Sequence, residues 1–264
     1  MTSADTWQQG DPYERYIGRW SRRIAPLFLE RIAAPEHARW VDVGCGTGAL
    51  SEAILAGCAP AALIGVEPSS GFRAAAATRL GDPAQVVAGD ASALPLPDDS
   101  ADVVVSGLVL NFVPDPHAAV REMVRVATAG ALIAGYVWDY GDGMEIIRRF
   151  WDVAVPLDPA ATTVREATGF DLCTPDALRE LFAAHLADVG VEAIDLIAEF
   201  EDFDDYWMPF LGGQGPAPAY VATLTNAARE RLREELRREL APSPDGPFTL
   251  RARAWSARGV VRAA

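Results

Sequence analysis

Three glycines at alternate positions, Gly44, Gly46 and Gly48, stand directly after a β-prone apolar run from Arg39 to Val43. The stretch that follows, Ala49 to Gly57, alternates apolar and small residues and reads as the start of a helix. A strand, a turn without side chains and a helix N-terminus, in that order, make a place where a ligand touches bare backbone. Few other local patterns restrict a fold so strongly.

The rest of the chain carries matching elements. Periodicity predicts helices over 21–33, 49–57, 69–80 and 117–127, and strands over 39–43, 62–66, 85–88, 102–106 and 130–138. Alternating β and α elements imply a parallel sheet with helices on both faces. Asp102-Val103-Val104-Val105 is a continuous β-branched run, as expected of a strand covered on both sides. Ligands of such sheets sit at the carboxyl ends of strands. The glycine turn, Glu67 with Pro68, Asp90 with Ala91, and Ser106 all fall at such ends.

Beyond residue 138 the pattern changes. Met144 to Val155 has helical character, and Thr174-Pro175 opens a second helix to about 188, with a capping hydroxyl and proline at the first position. Val191–Phe200 and Phe248–Trp255 predict the last two strands. A long helix is expected from about 217 to 240, with Leu224, Ala228, Leu232, Leu236 and Leu240 along one face. Its other face, which includes Arg229, Glu230, Arg233 and Glu234, reads as solvated and ion-paired. The irregular stretches 139–173 and 202–216 have no place in a minimal α/β fold, and long connections inside a compact domain are usually functional. Aromatic residues concentrate around them: Tyr136, Trp138, Tyr140, Phe150, Trp151, Phe203, Tyr206, Trp207 and Phe210. These either line an apolar pocket or pack the insertions onto the sheet.

Two cofactor classes use a strand–glycine turn–helix. Gly44, Gly46 and Ala49 satisfy the dinucleotide fingerprint. Asp42 and the third glycine, Gly48, separate the readings. A carboxylate pointing into the turn repels a diphosphate but attracts the ammonium and sulfonium of S-adenosylmethionine. Glu67 suits ribose hydroxyls in either class.

The motif D-x-G-x-G-x-G over Asp42–Gly48 resembles the first motif of the class I methyltransferases. Glu67, the Gly89-Asp90-Ala91 tip and the Gly107–Asp115 segment follow in that family's order. Residues from about 38 to 138 are similar to small-molecule class I methyltransferases, including the ubiquinone and menaquinone C-methylation enzymes. The resemblance implies a Rossmann-like, mostly parallel seven-stranded sheet with an antiparallel edge strand and helical lid insertions, as one domain over 1–264. It also implies S-adenosylmethionine as cofactor and a small organic methyl acceptor as partner. By resemblance Asp90 receives the adenine amino group, and residues 107–115 pack beside the adenine and methionine. The entry segment Tyr13–Ser21 resembles one whose side chains close over the methionine end, with Tyr13 and Arg19 as the residues carried over. One departure is visible: where many relatives carry a histidine pair after strand four, this chain reads Leu110-Asn111-Phe112.

Composition excludes several alternatives. The formal net charge of −14 repels phosphate backbones, so nucleic acid and anionic membranes are not expected partners. All 23 basic residues are arginine, which rules out lysine Schiff-base chemistry. No apolar run is long enough for a membrane span, and the first twenty residues do not read as a signal peptide. Cys45, Cys58 and Cys173 form no C-x-x-C pair, which argues against a disulfide framework and a structural zinc site. Cys45 reads as a small spacer in the turn. A reducing cytoplasmic compartment is the simplest setting.

Methyl transfer from a sulfonium is an in-line displacement whose demands are alignment and exclusion of water. A base is needed only when the acceptor loses a proton during attack. His117, close in sequence to the cofactor edge, is the candidate base, against a helix-start role. His37 reads as a surface residue and His185 as a helix-end cation. Asp139, Asp142, Asp152, Asp204 and Asp205 are acids of the insertions that either orient an acceptor or are solvated. Two other readings stand beside methyl transfer. One is a cofactor-binding protein or non-methylating pericyclic enzyme on the same fold, the other an NAD-type oxidoreductase.

Overall fold

The computed structural model describes residues 14–82, 84–212, 215–240 and 246–262. A π-helical turn over Glu14–Gly18 leads into α1, Arg19–Ile32. Then follow β1 (Arg39–Val43), α2 (Ala49–Gly57), β2 (Ala62–Val66), α3 (Ser70–Leu80), β3 (Gln85–Val87) and β4 (Ala101–Gly107). The bounds of β1, α2 and β2 are those read from the sequence. α3 begins one residue later than expected because Ser69 is its N-cap, its hydroxyl accepting the Phe72 amide. α4 (Pro116–Val126) is opened by Asp115, whose carboxylate accepts the Ala118 amide, and β5 spans Ala127–Trp138.

The strands form one seven-stranded sheet in the order β3-β2-β1-β4-β5-β7-β6, with β6 at Ala187–Phe200 and β7 at Phe248–Val260. β1 pairs in parallel with both β2 and β4, placing Asp42 opposite Gly65 and Val105. β7 is antiparallel to β5. The amide of Gly130 donates to Val261 and that of Asp139 to Arg253, so partner numbers fall as β5 advances. At the start of β1, Arg39 donates from its side chain and backbone to Asp102 of β4 (2.6 to 2.9 Å). These hydrogen bonds hold the Asp102 carboxyl down at about 2.

The helices of the second half are α5 (Glu145–Leu157), α6 (Glu166–Gly169), α7 (Pro175–Ala183), α8 (Phe203–Trp207), α9 (Pro216–Thr223) and α10 (Asn226–Leu240). Three expectations are corrected here. Residues 139–173 and 202–216 are largely helical rather than irregular. The helix expected to reach 188 ends at Ala183, because Val189-Gly190-Val191 favours extended backbone and joins β6. The single helix expected over 217–240 is two. Leu224 is extended (ψ 145°), and the hydroxyl of Thr225 accepts the Ala228 amide, starting α10 afresh. The leucine stripe runs through the break and hides it.

The chain resolves into two compact units. One comprises the described part of 1–19 together with 138–171 and 195–253; the other comprises 20–137, 172–194 and the described part of 254–264. In the second, Val103, Val104 and Val105 are fully buried, and Phe28 of α1 lies 4.6 Å from the ring of Tyr136. The first unit is built on aromatic rings. Phe150 stacks on Phe210 at 4.7 Å, Tyr206 meets Phe210 at 5.1 Å, and Phe200 stacks on Phe248 at 5.1 Å. All nine aromatics singled out in the sequence are buried. Of the two roles considered for them, packing is what these contacts display. Within this unit Glu166 is buried, accepting Trp151 Nε1–H and the Ala217 amide, and burial pushes its carboxyl up to about 7. Among the described residues no helix is long and apolar enough to cross a membrane.

Phe28→Ala removes a fully buried ring and is expected to cost about 3–5 kcal/mol of stability. Ile197→Ala, at a 52% exposed position, is expected to stay within about 0.5 kcal/mol. Urea unfolding of both variants checks the pair.

Candidate functional site

The glycine turn is set by positive φ at all three glycines: 72° at Gly44, 56° at Gly46 and 90° at Gly48. Side chains resist this region, and glycine does not. The amides of Gly44 and Cys45 both donate to the carbonyl of Val66, at 2.7 and 3.1 Å, so the turn hangs on the last residue of β2. The Gly48 amide closes onto Cys45 at 2.8 Å, and Gly48 then caps α2. A methyl group on Gly44 would lie 2.6 Å from both γ-carbons of Val109. One on Gly46 would meet nothing within 4 Å. The open side of the turn is therefore at Gly46, and the packed side is at Gly44.

Two buried carboxylates flank this backbone. Asp42 is 1% exposed; one oxygen accepts the Ser51 hydroxyl at 2.7 Å, and Oδ1 has no hydrogen-bond partner among the described residues. Burial pushes its carboxyl up to about 7, with a further upward contribution from Glu67. Glu67 accepts the Gly46 amide at 3.1 Å and the Ser69 amide at 2.8 Å. Its carboxyl is also raised, chiefly by burial, against the pull of those two amides and of Arg73. Arg73 donates to the carbonyls of Glu67 (2.9 Å) and Pro68 (2.6 Å), fixing the corner after β2. Each oxygen of Glu67 accepts one backbone amide, and a carboxylate oxygen has capacity for a second donor.

The remaining residues singled out in the sequence separate into groups. Cys45 turns its sulfur onto β2, where a methyl on Gly65 would come within 2.7 Å, and packs with Ala76 and Leu80; only its backbone faces the turn. Asp90 is exposed beyond β3, accepting the Ser92 amide at 2.8 Å, and Ala91 follows it. The loop after it is held by Arg125, which donates to the carbonyls of Leu94 and Leu96, each at 2.9 Å. Ser106, expected at the ligand, is fully buried and donates to the carbonyl of Val43 at 2.9 Å. Its hydroxyl braces β4 against β1 beneath the turn. Tyr13 lies outside the described residues. Arg19 donates to Asp205 at 2.6 Å within its own unit and lies 5.0 Å over the ring of Phe200. The nitrogens His117 Nδ1 and His185 Nε2 are 3.1 Å apart, so the candidate base faces a second imidazole. The acids of the insertions are engaged as well: Asp152 with Arg148, Asp204 with Arg233, and buried Asp139 with the Asp142 amide.

Other contributors carried no readable signal. Ser51 holds Asp42 from within α2. Arg79 of α3 donates to the carbonyl of Thr47 at 2.8 Å, stiffening the turn from behind. Leu108 takes a positive φ of 62° where the chain leaves β4, and this aims Val109 at Gly44. Asn111, in the short helical turn that follows, has a buried amide nitrogen without a partner.

A glycine turn carrying two buried acids at the carboxyl end of a parallel sheet matches a known domain. Residues 41–134 match the methyltransferase domain family. The demethylmenaquinone methyltransferase of Roseiflexus sp. (strain RS-1) is 34% identical over 144 residues, which are 47% of this chain and 60% of that protein. The matched region therefore spans less than two thirds of that relative. The YcgJ protein from Bacillus subtilis shares the fold at a TM-score of 0.59 and 18% identity, over 92% of this chain and 99% of that one. Phosphoethanolamine N-methyltransferase 2 of Haemonchus contortus, solved in complex with S-adenosyl-L-methionine, has a TM-score of 0.55 at 14% identity, over 92% of this chain and 53% of that one. β1, the turn and α2 stand at the start of the matched segment.

Gly44→Ala adds a strained φ and a 2.6 Å overlap, and is expected to lower stability by about 1–3 kcal/mol. Pairing it with Val109→Ala is expected to recover the overlap part and leave the φ part. Thermal unfolding of the single and double variants measures the split.

Proposed function

We propose that the chain is an S-adenosylmethionine-dependent methyltransferase acting on a small organic molecule. The observation that carries the reading is the open face of Gly46, flanked by two buried carboxylates of which one keeps an unpartnered oxygen. An unpartnered buried acceptor costs free energy unless something supplies a donor or a positive charge. A diphosphate supplies neither and would be repelled.

When bound, S-adenosylmethionine supplies a methyl carbon on a positively charged sulfur, next to an ammonium and an adenosine. The backbone of Gly44–Gly48 gives it close approach, Gly46 most of all. Asp42 is assigned the cationic end of the donor. Glu67, already oriented by the Gly46 and Ser69 amides, accepts the ribose hydroxyls. Asp90 accepts the adenine amino group, with Ala91 beside it. Ser106 and Cys45 act through the backbone they hold, and Arg19 is assigned to bracing its own unit through Asp205. The protein's task is then alignment and exclusion of water, and no residue is assigned as a general base.

Calorimetric titration with S-adenosylmethionine is expected to give one binding event, and with NADH none. Heat from NADH alone would overturn the reading. Glu67→Ala is expected to weaken the donor by about 1.5–3 kcal/mol; unchanged affinity would misplace the ribose.

The same titration should depend on pH. A cationic ligand favours ionised Asp42, and its carboxyl sits at about 7. Acid therefore protonates Asp42 and weakens binding, by up to about ten-fold per pH unit below that value. Asp42→Asn is expected to bind more weakly and with a flat profile over the same range. Donor binding without methylated product across a panel of O, N and C acceptors would remove the transferase part of the proposal.

A further inference from the structure

Among the described residues two arginines of α10, Arg229 and Arg231, stand outside its ion-pair pattern, and Arg229 donates to the carbonyl of Leu224 at 3.4 Å. Arg233 is shared among Asp204, Glu230 and Glu234 at 3.0 to 3.5 Å, and Arg238 is paired with Glu235. Arg231 has Glu234 and Glu235 one turn ahead, and both are taken by those neighbours. One turn behind, where an acid would reach it, stand Ala227 and Ala228. Among the described residues Arg231 has no carboxylate partner.

Those two alanines are also part of a groove. A depression of about 380 Å³ is lined by Leu157 and Asp158 at the end of α5, Tyr220 and Leu224 of α9 and its cap, and Ala227, Ala228, Arg231 and Leu232 of α10. All belong to one unit, and none is shared with the glycine turn. The break at Leu224–Thr225 forms its corner. Its lining is apolar except at the two charges and the tyrosine hydroxyl. The two charges differ in their compensation. Asp158 accepts the Ala160 amide at 3.1 Å and the Tyr220 hydroxyl at 3.2 Å, and does not reach Arg231. Its negative charge is satisfied, and the positive charge of Arg231 is not. In a chain of net charge −14 this is an unpaired cation beside apolar surface.

We infer that this groove binds a small amphipathic carboxylate. Its carboxylate pairs with the guanidinium of Arg231, and its apolar body lies on Leu157, Leu224 and Leu232. Asp158 repels the headgroup and so sets its direction. Guanidinium is suited to this role, since its planar fork accepts a carboxylate through two hydrogen bonds. The inference does not depend on what the glycine turn binds.

Titration of the full chain with octanoate, octylammonium and octanol tests it. Octanoate is expected to bind best. Arg231→Gln is expected to weaken octanoate by about ten-fold or more while leaving octanol unchanged. Ala228→Trp, at an exposed helix position, fills the groove and is expected to abolish binding of both, with thermal unfolding showing that each variant remains folded. Octylammonium binding tighter than octanoate would put Asp158 in control and overturn the inference. So would octanoate affinity unchanged by either variant, or no binding of any of the three probes at millimolar concentration.

Discussion

The architecture of the site depends on a shared hydrogen-bond acceptor, the carbonyl of Val66, which receives the amides of both Gly44 and Cys45. That bond ties the turn to the end of β2 rather than to its own strand. Once it is made, the chain departs into positive φ at alternate residues, Gly44, Gly46 and Gly48, and only glycine sustains these at low cost. Glu67, the next residue after Val66, then comes within reach of the Gly46 amide. The strand pairing of β1 with β2 and the placement of the acid are thus one event.

Such a turn has an electrostatic consequence. Asp42 and Glu67 are both withdrawn from water, which raises both carboxyls, and Glu67 raises that of Asp42 further. The protein compensates only in part, through Ser51, two backbone amides and Arg73. A fold optimised for stability alone would place apolar groups here. A buried acid raised to about 7, as Asp42 is, is poised to respond to a positive charge. The surrounding parts remove freedom rather than charge: Ser106 locks β4 to β1, Arg79 holds Thr47, and Val109 fills the space behind Gly44.

The first unit follows a different logic. Its interior is a connected set of aromatic rings, with the buried acid Glu166 joining α5, α6 and α9 through Trp151 and Ala217. On α10, Arg233 and Arg238 are ion-paired, whereas Arg229 turns to a backbone carbonyl and Arg231 has no carboxylate partner among the described residues. In a chain without lysine, a guanidinium is what pairs with carboxylates in fixed geometry.

β1, the turn, α2 and β2 were legible to the residue, because strand alternation, glycine φ and helix starts are local properties carried by adjacent side chains. The positions of Asp42 and Glu67 beside the turn were legible too, since the ends of β1 and β2 follow from residue type and spacing. What required the folded molecule was everything set by residues distant in the chain. Ser106 reads as a ligand contact until β4 is laid against Val43. The helix over 217–240 reads as unbroken, because its leucine stripe persists across a cap that three-dimensional packing selects. His117 reads as a lone base until α7 brings His185 to it. Arg231 meets its groove only when α5, α9 and α10 enclose one before it. Local torsional preference is encoded within a few residues, whereas which distant groups meet is decided only when the hydrophobic faces have found their partners.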